Sequence, residues 1–167
     1  MKLYLLRHGL AGHHGDPEWP DDSLRPLTND GVKKLHVSMR GMQVLALHVD
    51  LILSSPYRRT MQTASIASQY LCDAGPFESN LLLPGAEPVQ FLTELQEKWG
   101  DYQNVMAVGH EPDMSLILSY LVTGDTGMEV KFKKGTLCCV ELPSDSEWIP
   151  GQFLWMMTPK QMMAIGG

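Results

Sequence analysis

The chain alternates short, purely apolar runs with longer stretches in which apolar residues recur every three or four positions, a pattern that predicts strands and helices in turn. Leu3-Tyr4-Leu5-Leu6 marks a strand at about 2–7. A polar segment rich in Gly, Pro and Asp follows from Gly12 to Pro26, with the length and composition of a functional loop. Thr28 then stands as a helix N-cap, and Val32, Leu35, Met39 and Met42 carry helical spacing into the mid-forties. Leu51 to Ser54 is a buried-strand run closed by Pro56. Thr60 to Leu71 predicts a helix with Ala64, Ala67 and Leu71 along one face. Leu81-Leu82-Leu83 predicts a short strand, and Pro88 to Trp99 a helix with proline in its first turn. Val105 to Val108 reads as a further strand, and Pro112 to Leu121 as an apolar helix stopped near Gly124. The last third changes character: strands are expected at about 129–133, 136–142 and 152–157, joined by turns at Lys134-Gly135 and Pro143-Ser144-Asp145. With no internal repeat, linker or low-complexity tract, the pattern predicts one α/β domain over residues 1–167, built on a mixed sheet.

Three of the predicted strands run directly into chemistry. Arg7-His8-Gly9 follows the first, Arg58-Arg59 comes just after Leu51 to Pro56, and His110 follows Val105-Met106-Ala107-Val108-Gly109. Parallel strands bring such ends to one edge of a sheet, where α/β proteins build their sites. The result is a compact cationic pocket suited to a tetrahedral anion such as phosphate. Phosphoryl transfer to an imidazole needs an unprotonated ring nitrogen in line with the leaving group, and donors around the phosphoryl oxygens. His8 supplies the nucleophile, with an ordinary pKa of about 6.5. Arg7 and Arg59 supply planar, multidentate donors. His110, if protonated, adds a cationic donor opposite the nucleophile.

Composition narrows the setting. A chain of 167 residues that is 44% hydrophobic can bury one sizeable core. Its net charge of -6 argues against a general binder of nucleic acid or acidic membrane, so any positive potential must be local. The N-terminal apolar run is too short for a signal segment and is interrupted at once by Arg7 and His8, and no window approaches a membrane span. These features predict a soluble, cytoplasmic protein, with a size that suits a monomer. Cys72, Cys138 and Cys139 show no C-x-x-C spacing, and the adjacent pair should point to opposite strand faces as packing residues. His13-His14, near Asp16, lacks an ordered i, i+4 ligand pair, so neither a metal site nor a cofactor is expected. Trp19, Trp99, Trp148 and Trp155 read as core or rim aromatics.

Four motifs now stand in order: Leu6-Arg7-His8-Gly9; Arg25-Pro26-Leu27-Thr28 with Gly31; Ser55-Pro56-Tyr57-Arg58-Arg59-Thr60-Met61-Gln62-Thr63-Ala64; and Gly109-His110-Glu111-Pro112. Together they resemble the histidine phosphatase superfamily. The short length, the Arg-Pro-Leu-Thr element and the His-x-Pro form of the last motif are similar to the SixA-type protein phosphohistidine phosphatases. The resemblance extends from Met1 to about Thr158-Pro159. It implies a phosphoglycerate mutase-like fold, a three-layer αβα sandwich with a mostly parallel, mixed central sheet. It further implies that His8 becomes phosphorylated and that Arg7, Arg59 and His110 complete the phosphate pocket. Within the arginine pair the family spacing from Ser55 selects Arg59, leaving Arg58 on the surface or behind the site. Arg25 matches an arginine of the SixA-like branch that lies near the pocket, which implies a substrate-phosphate role for it.

One departure bears on substrate. Many phosphomonoesterases and mutases of the superfamily place a proton-donating carboxylate after the third strand, where this chain has the apolar Leu81-Leu82-Leu83-Pro84. An imidazole leaving group is protonated far more readily than an alkoxide and depends less on a dedicated acid. The expected activity is therefore metal-independent hydrolysis of phosphohistidine on a protein, such as a phosphotransfer domain or a phosphocarrier. Glu87, Glu111 or Asp113 could still fold into the acid position. The alternatives are a small-molecule or phosphopeptide phosphomonoesterase on the same scaffold, and a regulatory module that recognises phosphate without turnover.

Overall fold

A computed structural model describes residues 1–143 and 150–167. The expected turn beyond Pro143 and the aromatic Trp148 lie outside the described residues. The strands are β1 (Lys2–Arg7), β2 (Leu51–Ser54), β3 (Phe77–Glu78), β4 (Asn104–Gly109), β5 (Leu137–Glu141) and β6 (Gln152–Met157). The helices are α1 (Asn29–Val44), α2 (Arg58–Leu71), α3 (Pro88–Trp99), α4 (Asp113–Thr123) and α5 (Pro159–Gly166). The strands form one sheet in the order β3-β2-β4-β1-β5-β6. β3, β2, β4 and β1 are mutually parallel, and β5 and β6 extend the sheet antiparallel beyond β1.

Alternation along the strands sorts the core into two layers. Leu3, Leu5, Leu53, Val105, Ala107 and Cys138 face one way and pack with Phe91 and Leu95 of α3 and with Leu118 of α4. Tyr4, Leu6, Ile52, Met106, Val108 and Cys139 face the other way, against Met39 of α1, Ala67 of α2 and Met162 of α5. The architecture is a three-layer αβα sandwich, and Cys138 and Cys139 separate to its two faces as period-two geometry requires. All three cysteines are free. Among the described residues no helix is long and apolar enough to cross a membrane.

Helix signals in the sequence correspond to real caps. The Thr28 side chain accepts from the Gly31 N–H to start α1, proline opens α3, and Gly124, at a φ of 81°, ends α4. Three local expectations are corrected. Leu81-Leu82-Leu83 is not a strand: the Ser79 side chain accepts from the Leu81 N–H and caps a 3-10 turn over Asn80–Leu82, while the parallel strand lies earlier, at Phe77–Glu78. No strand forms at 129–133, because side chains take the carbonyls that a ladder would need. Ser115 donates to Val130 O, and Arg7 donates to Phe132 O. α2 begins at Arg58 rather than Thr60, which puts Arg59 in its first turn.

α5 was missed by the periodicity, although Thr158, Pro159 and Gln161 form a capping box with proline in the first turn. It packs closely on α1 through two glycines. A Cβ on Gly41 would lie 2.1 Å from Met162 O, and one on Gly166 would lie 2.1 Å from Val37 O.

Candidate active site

Strands β2, β4 and β1 are neighbours and run parallel, so the residues just past their C-terminal ends share one edge of the sheet. The ladder continues one step beyond the strands: the Ser55 N–H donates to Val108 O, and the His8 N–H to Gly109 O. His8 and His110 therefore face each other with ring centroids 5.5 Å apart. Together with Arg7, Arg25 and Arg59 they line a cavity of about 520 Å³.

His8 is buried, and its Nδ1 lies 2.7 Å from Gly9 O. A carbonyl accepts only, so Nδ1 carries the proton and the lone pair sits on Nε2. Burial pushes the His8 pKa down to about 3; the Gly9 contact opposes this, and the Arg59 and Arg7 charges add to it. The ring is thus neutral at pH 7. Its backbone is braced on both sides: the Gly9 N–H donates to Thr63 Oγ1, and the Gly135 N–H is shared by Arg7 O and His8 O.

Arg7 sends Nη1 to Phe132 O at 2.6 Å, while Arg59 sends Nη1 to Asp22 O at 2.8 Å and pairs through Nη2 with Asp22 Oδ2 at 3.0 Å. The Nε–H of each guanidinium is buried without a partner among the described residues. Buried donors of this kind ordinarily find acceptors, and two of them in one cavity suit an oxyanion. Arg25 is also buried and donates to Asp22 Oδ1 and to Gly12 O, both at 2.7 Å. Arg58 is exposed and lies over the Trp19 ring instead.

His110 departs from the cationic role considered from sequence. Arg59 Nη2 donates to its Nδ1 at 3.2 Å, and its Nε2–H donates to Ser55 Oγ at 2.9 Å. That arrangement fixes a neutral ring. Burial, followed by the Arg59 charge, pushes its pKa down to about 3.

No family model matches the chain. It is 33% identical over 136 residues to an uncharacterized protein of Picosynechococcus sp. strain PCC 7002, covering 80% of this chain and 81% of that protein. It is 24% identical over 166 residues to the phosphohistidine phosphatase SixA of Escherichia coli K12, covering 95% and 94%. The structure of the protein histidine phosphatase SixA complexed with tungstate superposes with a TM-score of 0.81 at 23% identity, covering 96% of this chain and 98% of that one. The chain has the fold of the histidine phosphatase superfamily and resembles SixA in sequence. The fold also carries other phosphatases, including the alpha-ribazole phosphatase of Shigella flexneri, with a TM-score of 0.65 at 17% identity, covering 95% and 97%.

Two further cavity residues escaped the sequence reading. Asp22 anchors the cation cluster. Burial raises its pKa, but hydrogen bonds from Arg25 and His14 and the Arg59 charge outweigh that and hold it well below the usual carboxylate range. Nothing distinguishes Asp22 from Asp16, Glu18 or Asp21 in the same loop except its i, i+3 spacing to Arg25. Lys134 also lines the cavity, and burial together with Arg7, Arg25 and Arg59 lowers its pKa. Of the three acids considered, only Glu111 lines the cavity. Its Oε1 bonds Ser115, and its Oε2 is buried and unpartnered. Asp113 instead accepts from the Gly85 N–H, its pKa raised by burial, and Glu87 is exposed at the N-terminus of α3. His13 and His14 reach the rim, and among the described residues no three His, Cys, Asp or Glu side chains gather as metal ligands.

Proposed function

We propose that this chain is a metal-independent phosphatase that removes the phosphoryl group from phosphohistidine on a protein, through a phosphohistidine intermediate on His8. The observation that carries the reading is the His8 tautomer: a neutral, buried imidazole with its proton held on Nδ1 keeps Nε2 as a nucleophile at neutral pH. Nε2 attacks phosphorus as the substrate's P–N bond breaks, and the departing imidazole takes up a proton. Water then attacks the phosphoryl group on His8, the P–Nε2 bond breaks, and inorganic phosphate leaves. Arg7 and Arg59 turn their free Nε–H donors to the phosphoryl oxygens, with Arg25 and His110 completing the substrate pocket. These cations supply the positive charge that a metal ion provides in other phosphoryl transfers. Similarity to SixA supports phosphohistidine as the substrate.

Glu111 favours a second reading, phosphomonoester hydrolysis, because a carboxyl group in the cavity could protonate an alkoxide. A recognition module without turnover would need no nucleophile. The deciding experiment compares kcat/KM of the purified chain for a phosphohistidine protein, free phosphohistidine, p-nitrophenyl phosphate and an alkyl phosphate. Phosphohistidine should turn over well, the aryl ester less well and the alkyl ester poorly. Equal values for the alkyl ester and the phosphohistidine protein, with a loss in Glu111→Gln confined to the ester, would establish the second reading instead.

A further inference from the structure

Lys131, Lys133 and Lys134 bring three of the chain's thirteen Lys and Arg residues into four positions, in a molecule of net charge -6. All three are exposed, while Phe132 between them is buried and gives its carbonyl to Arg7. The segment is therefore tethered to the phosphoryl site rather than merely near it. Arg25 and Arg59 spend their charge on Asp22, whereas none of these lysines has an ion pair among the described residues. Like charges at this density repel one another unless an anionic partner offsets them.

A second groove shows where that partner would run. Glu111 walls both the phosphoryl cavity and an adjoining groove of about 480 Å³ that continues past Leu116, Met128, the exposed Glu129 and Val130 to Lys131. The groove thus leads from the reacting centre to Lys131, where the basic segment begins, while Lys134 at the segment's other end lines the phosphoryl cavity itself. A free phosphate or a small metabolite would end at the cavity, but a polypeptide extending from a phosphorylated side chain would pass on beside Lys131 and Lys133.

Building on the phosphohistidine reading, we propose that the Lys131–Lys134 segment and the groove beside it are the docking edge for an acidic polypeptide stretch flanking the phosphohistidine. Lys134 faces the residues next to the phosphoryl group, and Lys131 and Lys133 face carboxylates further along. Exposed pairs of this kind are individually weak and screened over about 10 Å at 0.1 M salt, so the preference should be moderate and salt-sensitive.

The test uses two phosphohistidine peptides that differ only in flanking residues, Glu in one and Gln in the other, with p-nitrophenyl phosphate as a control for the catalytic cavity. The wild type should favour the Glu-flanked peptide by about fivefold to tenfold in kcat/KM at low salt, and the advantage should shrink as salt rises. Lys131→Glu/Lys133→Glu should remove or reverse that preference, Lys131→Gln/Lys133→Gln should only remove it, and both should keep wild-type kinetics on p-nitrophenyl phosphate. Equal preference in wild type and both variants overturns the docking edge while leaving the function standing. Failure of the wild type to dephosphorylate either peptide overturns the phosphohistidine reading and the edge with it. An absent peptide preference, together with binding to anionic vesicles or duplex DNA that the charge reversal abolishes, would assign the lysines to a membrane or nucleic acid and overturn the proposal.

Discussion

At the scale of single residues, the cavity separates two jobs that are often merged, carrying positive charge and supplying a lone pair. Both histidines are held neutral, so the charge comes from guanidinium groups and the lone pair from His8. His8→Ala should therefore abolish turnover together with an acid-labile, base-stable phosphoenzyme that the wild type traps on rapid quenching with labelled substrate; normal turnover in that variant would exclude the intermediate. Arg59 makes a harder test, since its guanidinium spans Asp22 and His110 at once. Lysine at this position keeps the charge but cannot hold both partners and still present a donor to the phosphoryl group. Arg59→Lys should lose on the order of 10² in kcat/KM, within the range for removing a preorganised donor. Arg58→Ala, at an exposed side chain over Trp19, should stay near wild type in the same assay.

At the scale of elements, legibility followed how local each signal was. α1, α3 and α4 announced themselves by caps and periodicity, and β1, β2 and β4 by short apolar runs that end in polar chemistry. Those three strands hold most of the site, which is why His8, Arg59 and His110 can be read together from the sequence. What failed was long-range. The Leu81–Leu83 run satisfies a strand pattern, but a Ser79 cap turned it into a 3-10 turn, and the carbonyls of 129–133 went to Ser115 and Arg7. Asp22 was hidden among similar loop acids because its role exists only once Arg25 and Arg59 meet. The α1–α5 contact is non-local in the same sense, and it sets two magnitudes against each other. Alanine at a helix-interior glycine ordinarily gains about 1 kcal/mol. At Gly41 the new methyl meets the Met162 carbonyl, a backbone atom that cannot swing aside, and overpacking of this kind costs about 1–3 kcal/mol. The clash should win, so Gly41→Ala should lower the denaturant midpoint; a raised midpoint would show that α5 can shift away without loss.

At the scale of the whole molecule, two buried neutral histidines tie folding to pH. In the unfolded chain each titrates near its ordinary pKa of about 6.5, while in the folded protein each is held at about 3. Between those limits the unfolded state binds more protons, so stability is full above about pH 6.5 and falls as pH drops toward the folded value. Each histidine contributes a slope of about 1.4 kcal/mol per pH unit across that window. Asp22, with its lowered pKa, acts in the same direction further into acid, whereas Asp113, raised by burial, opposes it. The histidine window opens at higher pH than that of Asp22, so on acidification the histidines' loss comes before that of Asp22. The wild-type Tm should hold steady from about pH 8 to 7 and then fall steeply between about 6.5 and 5. His8→Asn and His110→Asn should each show a shallower fall over that interval, whatever their stability at pH 7, because each removes one of the two protons taken up on unfolding. Parallel Tm profiles for both variants and the wild type would mean that the rings are protonated in the folded protein, and the neutral nucleophile would go with them.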